Sequence, residues 1–125
     1  MPVHVFRTMT MGEDGRPNCG DASSRLGVRL SEVTLTEDGF VIADGKGMSV
    51  APHSPRNLHP HFLPKRLGGL LTKAHVFELT LASLPVDLVY RQTSSKHGQI
   101  EPGLQMPHVK YQALLCSTKP DWREV

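Results

Sequence analysis

The segment from His97 to Glu101 carries three side chains that could do chemistry together. His97, Gln99 and Glu101 alternate with Gly98 and Ile100, and in an extended strand alternate residues point to the same side. An imidazole, an amide and a carboxylate on one face could orient a ribose or polarise a leaving group. An exposed edge strand with ordinary polar residues has the same pattern, and the spacing alone favours that second interpretation.

Arg7 stands out because it follows Val5 and Phe6 in an apolar segment. Burying a guanidinium group is unfavourable unless the group meets an anion. Alternatively, the side chain extends to the surface from a half-exposed strand. The residue pattern does not distinguish a buried, anion-binding arginine from an exposed one.

Glycines precede a short apolar segment at Gly45 and Gly47, and such glycines let a ligand approach the backbone closely. The segment does not match a phosphate-binding loop, because no Ser or Thr follows Lys46 directly and no helix follows. Ser49 lacks the Gly-x-Ser-x-Gly pattern of activated serines. It is therefore a poor candidate nucleophile, although it could still contact a ligand.

His53, His59 and His61 lie close together in a proline-rich segment. Zinc sites with such spacing usually include cysteine or carboxylate ligands nearby, and none is near here. We therefore expect solvated loop histidines and no metal site.

The elements that would position these side chains are mostly strands. Ten prolines and eleven glycines exclude long helices almost everywhere, and short runs of Val, Leu and Phe favour strands. Strands are predicted over 3–11, 48–51, 74–81, 87–92 and 97–101, and a tight hairpin or a bent extended segment over 32–43. Residues 51–69 are predicted to be a long loop without regular structure.

One helix is predicted near the carboxyl end, beginning at Pro107. Val109, Ala113 and Cys116 fall on one stripe of this helix, and Trp122 is expected to fold back against the body. The fold class is therefore α+β: one mostly β domain over residues 1–125 with one C-terminal helix.

Charge and composition exclude several classes of function. A formal charge of +2 is compatible with a phosphorylated partner but makes a nucleic acid an unlikely one. No apolar run is long enough to cross a membrane. The first residues lack the features of a secretion signal, so we expect a cytoplasmic protein with Cys19 and Cys116 as free thiols; delivery into a target cell is compatible with this.

Several short segments, among them those with Arg7, Ser49 and His97, follow one another in an order that resembles a known family. The matching segments are Val5-Phe6-Arg7, Asp38-Gly39-Phe40, Gly47-Met48-Ser49-Val50, Leu84-Pro85-Val86-Asp87-Leu88 and His97-x-x-Ile100-x-Pro102-x-x-x-Met106. This order, over most of the chain, resembles the NAD-dependent type VI secretion effector toxins related to the second type six effector. The last segment is the most specific, because four positions match at fixed spacing.

The resemblance implies an ADP-ribosyltransferase-like fold whose split β core holds NAD in a cleft. It implies that the toxin acts in a bacterial cytoplasm and that a cognate immunity protein blocks it. Arg7 would bind the phosphates or a ribose, Ser49 would line the nicotinamide pocket, His97 would lie at the cleft, and Gly47 would belong to the cofactor-binding residues.

The implied reaction breaks the bond between nicotinamide and ribose through an oxocarbenium-like transition state, which a carboxylate can stabilise. Ser49, His97 and Glu101 are therefore the candidate catalytic residues, although the family pattern does not require an acid at Glu101. Two alternatives stay open. One is a catalytically inert nucleotide-binding or protein-interaction module on the same fold, and the other is a structural domain whose long loop docks a partner.

Overall fold

A computed structural model describes residues 2–125 of the chain. Most of the regular structure in that range consists of strands of two or five residues. Within that range the elements are β1 (His4–Thr8), β2 (Phe40–Val41), β3 (Met48–Pro52), β4 (Val76–Thr80), β5 (Leu88–Gln92), β6 (Gly98–Pro102), β7 (Met106–Pro107), α1 (His108–Ser117) and β8 (Arg123–Glu124). The prediction of an α+β, mostly β chain with one C-terminal helix is confirmed.

The main sheet is antiparallel, with strand order β5-β6-β3-β1-β4-β8, and β2 and β7 form a separate pair. Strands β1 and β4 pair through five residues each, as do β5 and β6. The join between these two parts is much shorter, because β1 and β3 pair only through Val5 with Pro52 and Phe6 with Ala51. Beyond Phe6 the two strands separate.

Helix α1 covers one face of the sheet and closes the main core. Tyr111 and Leu115 are its buried residues, and they pack in one cluster with Phe77, Ile100 and Trp122. The expected burial of Trp122 is confirmed. The predicted apolar stripe is wrong at Val109, which is 79% exposed, and at Ala113, which is also exposed, because the buried positions follow the i, i+4 spacing of Tyr111 and Leu115.

The proline-rich segment after β3 is not without regular structure, contrary to the prediction. It forms three short 3-10 turns, at Pro55–Asn57, Pro60–Phe62 and Lys65–Leu67. Proline suits the first position of such a turn, since its φ is already restricted and its missing N–H has no role there. Leu63 is buried and packs with Phe6 and Val76 in a second, smaller core.

Cys19 and Cys116 are joined in a disulfide, so the expectation of free thiols is wrong. Their Cα atoms lie 5.6 Å apart although 97 positions separate them in sequence. Gln112 explains the proximity: its side chain donates to the carbonyl oxygen of Gly20 at 2.9 Å and accepts from the N–H of Val28 at 3.2 Å. These bonds hold the segment after Cys19 against α1.

No helix of residues 2–125 combines the length and the apolar character that crossing a membrane requires.

Candidate functional site

A cleft of about 320 Å³ lies where β1 and β3 separate. The end of β1 contributes Arg7 and Thr8 to its wall, and β3 contributes Ser49 to Ala51. The remaining lining residues come from the 29–32 turn, from residues 57–62, from Ser23, and from Lys96 and His97 just before β6. Small-molecule sites typically occupy about 300 to 1,000 Å³, so the cleft is at the lower end of that range.

Arg7 is buried, with only 5% of its surface exposed. Its guanidinium donates to four backbone carbonyl oxygens. Nη1 donates to Ser49 at 2.8 Å, and Nε donates to Arg25 at 3.2 Å. Nη2 donates to Arg25 at 3.0 Å, to Ser23 at 3.1 Å and to Gly27 at 3.3 Å. Neither expectation for Arg7 is met in full. The side chain is buried, but its partners are neutral carbonyl oxygens rather than an anion or water.

The charge of Arg7 nevertheless persists. Burial lowers the pKa of Arg7 to about 10, which is still far above neutral pH. Nη1 carries two N–H groups, and within the described residues only one of them has a protein acceptor. Arg7 also lines the cleft, so its positive charge acts on whatever the cleft binds.

His97 is half-buried and lines the same cleft as Arg7. Its Nδ1 lies 2.7 Å from the hydroxyl oxygen of Thr93, which orients the ring and leaves Nε2 for a ligand. Ser49 lies beside it on the neighbouring strand, since Ser49 pairs with Gln99 in the β3–β6 ladder. Three predicted ligand contacts, Arg7, Ser49 and His97, therefore line one cleft.

Glu101 and Gly47 do not line that cleft. Glu101 is four residues beyond His97, about 13 Å along an extended strand, and is 2% exposed. Its Oε1 accepts from Nε of Arg91 at 3.0 Å and forms an ion pair with Nη2 of Arg91 at 3.0 Å, while its Oε2 is buried without a hydrogen-bond partner in the described residues. A carboxylate enclosed in this way does not face the cleft.

Gly47 has a packing role. A Cβ atom at this position would lie 2.4 Å from the carbonyl oxygen of Ile100 and 2.9 Å from the hydroxyl of Tyr111. The glycine therefore permits β3 to approach β6 and α1 closely, rather than giving a ligand access to the backbone.

Four other charged or titratable residues of the cleft were not predicted from the sequence. They are Arg29, Glu32, His59 and Lys96. Arg29 and Glu32 form an ion pair with Nε 3.2 Å from Oε1, and only their spacing of three residues could have indicated this pair. His59 was assigned to a solvated loop; it is exposed, but it also lines the cleft.

The cleft carries an excess of positive charge. Arg7, Arg29 and Lys96 are cations and Glu32 is the single carboxylate among its lining residues, which leaves three positive charges against one negative. Such an arrangement favours anionic ligands, and guanidinium groups suit phosphate in particular.

Within residues 2–125 no three His, Cys, Asp or Glu side chains come close enough to hold a metal ion. His59 and His61 stack with their ring centroids 4.8 Å apart.

Comparisons with protein-family models, curated proteins and solved structures found no match. The function is therefore argued from the geometry and chemistry of the cleft.

Proposed function

We propose that the protein is an NAD-dependent bacterial toxin with ADP-ribosyltransferase-like or NAD-cleaving activity. The observation that carries this proposal is the meeting of Arg7, Ser49 and His97 in one cleft. These residues come from three separate parts of the chain, and the resemblance assigns each of them to an NAD site.

The charge and shape of the cleft support the same substrate. NAD carries a pyrophosphate, and three cations line the cleft. Arg29 and Lys96 are the exposed cations among the lining residues, and either could bind the pyrophosphate. The separation of β1 from β3 supports a split β core of the kind that the resemblance implies.

In the proposed reaction the bond between the anomeric carbon and the nicotinamide nitrogen breaks, and its electron pair neutralises the nicotinamide ring. Positive charge develops on the ribose. Arg7 would bind the phosphates or a ribose hydroxyl. Ser49 and His97 would hold the nicotinamide ribose, and water or an acceptor group would then attack the anomeric carbon.

Expression of the wild-type chain in bacteria tests the proposal. Growth should stop, and Ser49→Ala or His97→Ala should relieve the arrest. Ser95→Ala and His53→Ala are matched controls, since both residues are exposed and lie outside the cleft. Harmless accumulation of the folded wild-type protein at high level would contradict the proposal. A small immunity protein that binds the chain is the expected partner of such a toxin.

A nucleotide-binding module without turnover is the second candidate, and the enclosed position of Glu101 favours it. Calorimetry with NAD followed by a nicotinamide-release assay separates the two. Binding without release supports the module, whereas release supports the toxin.

A further inference from the structure

The turn Leu30–Glu32 places a carboxylate in the cleft that the sequence did not single out. The side chain of Glu32 is 19% exposed. Its Oε1 accepts from the backbone N–H of Arg29 at 3.0 Å and from Nε of Arg29 at 3.2 Å. Both bonds use the same oxygen, so within the described residues Oε2 has no hydrogen-bond partner.

Glu32 lies in the same cleft as the residues proposed to bind NAD, and its charge acts on one of them. It lines the same cleft as Arg7, Ser49 and His97. Its negative charge acts on Arg7 and opposes the lowering of the Arg7 pKa by burial. Glu101, in contrast, is covered by Arg91 and lines no part of the cleft.

Resting on the proposed function, we infer that Glu32, rather than Glu101, is the carboxylate that acts on the ribose of NAD. As the bond from the anomeric carbon to nicotinamide breaks, the negative charge of Glu32 stabilises the positive charge on the ribose. A water oxygen then bonds to the anomeric carbon, and Glu32 Oε2 accepts the water proton and later releases it to solvent. The products are ADP-ribose, nicotinamide and one proton.

Arg29 is a positioning residue in this arrangement. Its backbone N–H and its Nε both donate to Oε1 and so fix the orientation of the carboxylate.

The alternative is that Glu32 only stabilises its turn, since a glutamate at this position that accepts the N–H of Arg29 forms half of a capping box. Glu32→Gln separates the two roles. Glutamine keeps an oxygen that accepts from Arg29 but loses the charge and the ability to accept a proton. Glu37→Gln is the matched control, because Glu37 is an exposed residue of a neighbouring turn outside the cleft.

The measurements are nicotinamide release at saturating NAD, the dissociation constant for NAD by calorimetry, and the thermal midpoint. For Glu32→Gln we expect the release rate to fall at least about 100-fold, with NAD binding and the thermal midpoint close to those of Glu37→Gln. A Glu32→Gln rate equal to that of Glu37→Gln overturns the inference, and so does a rate that falls only in proportion to lost NAD binding.

Should Glu32→Gln fail to fold, Glu32→Asp provides the test, because aspartate keeps the charge with a shorter side chain. Partial release by folded Glu32→Asp supports the inference, and an unchanged rate overturns it. If the wild-type protein releases no nicotinamide, the proposed function fails and the inference fails with it. Wild-type release that does not depend on Glu32 overturns the inference alone.

Discussion

Nη1 of Arg7 donates a hydrogen bond to the carbonyl oxygen of Ser49 at 2.8 Å. The bond lies where β1 and β3 cease to pair, one residue after Phe6, which is the last residue of β1 in that ladder. The guanidinium therefore replaces the backbone ladder at this point, and the same group forms a wall of the cleft. The Arg7 side chain therefore contributes to the stability of the fold and also forms part of the proposed binding site.

The first prediction concerns Arg7→Lys. Lysine has three donors on one nitrogen and cannot reproduce the planar fork that reaches four carbonyl oxygens. Because the site is buried, carbonyls left without a donor should lower the free energy of unfolding by about 3 kcal/mol. Urea denaturation measures the change.

Arg56→Lys is the control for Arg7, since Arg56 is exposed and its side chain makes no hydrogen bond in residues 2–125. It should change stability by less than about 0.5 kcal/mol. Equal midpoints for the two lysine variants would show that the carbonyl cage contributes nothing to folding.

The second prediction concerns the hydroxyl of Tyr111, which connects two strands inside the core. It donates to the carbonyl oxygen of Ile100 and accepts from the N–H of Met48 at 3.2 Å. Burial raises the pKa of Tyr111, so the hydroxyl stays protonated and can donate. Tyr111→Phe leaves both backbone groups without this partner and should lower stability by about 2 kcal/mol.

Tyr90→Phe controls for the loss of a tyrosine hydroxyl, because the Tyr90 hydroxyl bonds only the exposed Gln92 at 3.4 Å. Thermal unfolding should be nearly unchanged in Tyr90→Phe. A Tyr111→Phe midpoint that matches it would disprove the bridging role.

The third prediction concerns the disulfide between Cys19 and Cys116. It closes a loop of 97 residues in the unfolded chain, for which the chain-entropy model gives about 4 to 5 kcal/mol. Dithiothreitol should lower the thermal midpoint markedly and speed hydrogen exchange at the backbone N–H groups of Leu26 and Val28, which are hydrogen-bonded in the folded chain, since the disulfide anchors that segment.

The double variant Cys19→Ser, Cys116→Ser should behave like the reduced protein and show no response to dithiothreitol. An identical midpoint for the wild-type protein with and without reductant would contradict the third prediction.

The fourth prediction distinguishes packing from ligand binding at Gly47. In Gly47→Ala the new methyl group meets the carbonyl oxygen of Ile100, a backbone atom that cannot move freely. Stability should fall by about 1 to 3 kcal/mol, as in other overpacked cores. Calorimetry on the folded fraction should give the wild-type affinity for NAD. Normal stability with lost NAD affinity would instead restore the cofactor-binding role expected from the sequence.

Local sequence was enough to predict much of the fold. The alternation of apolar and polar residues placed β1, β3, β4, β5 and β6 within a few residues of their observed bounds, because a half-buried strand imposes a period of two on its side chains. It also located the helix after Pro107 and the burial of Trp122. For the cleft, the family resemblance rather than the residue pattern indicated Arg7, Ser49 and His97.

Tertiary structure alone decided which of the polar residues meet. His97, Gln99 and Glu101 share one strand face by period, yet His97 lines the cleft while Glu101, at the other end of β6, is enclosed by Arg91. Contacts between distant segments have no local pattern. For that reason neither the pairing of Cys19 with Cys116 nor the presence of Glu32 in the cleft could be read before the chain was folded.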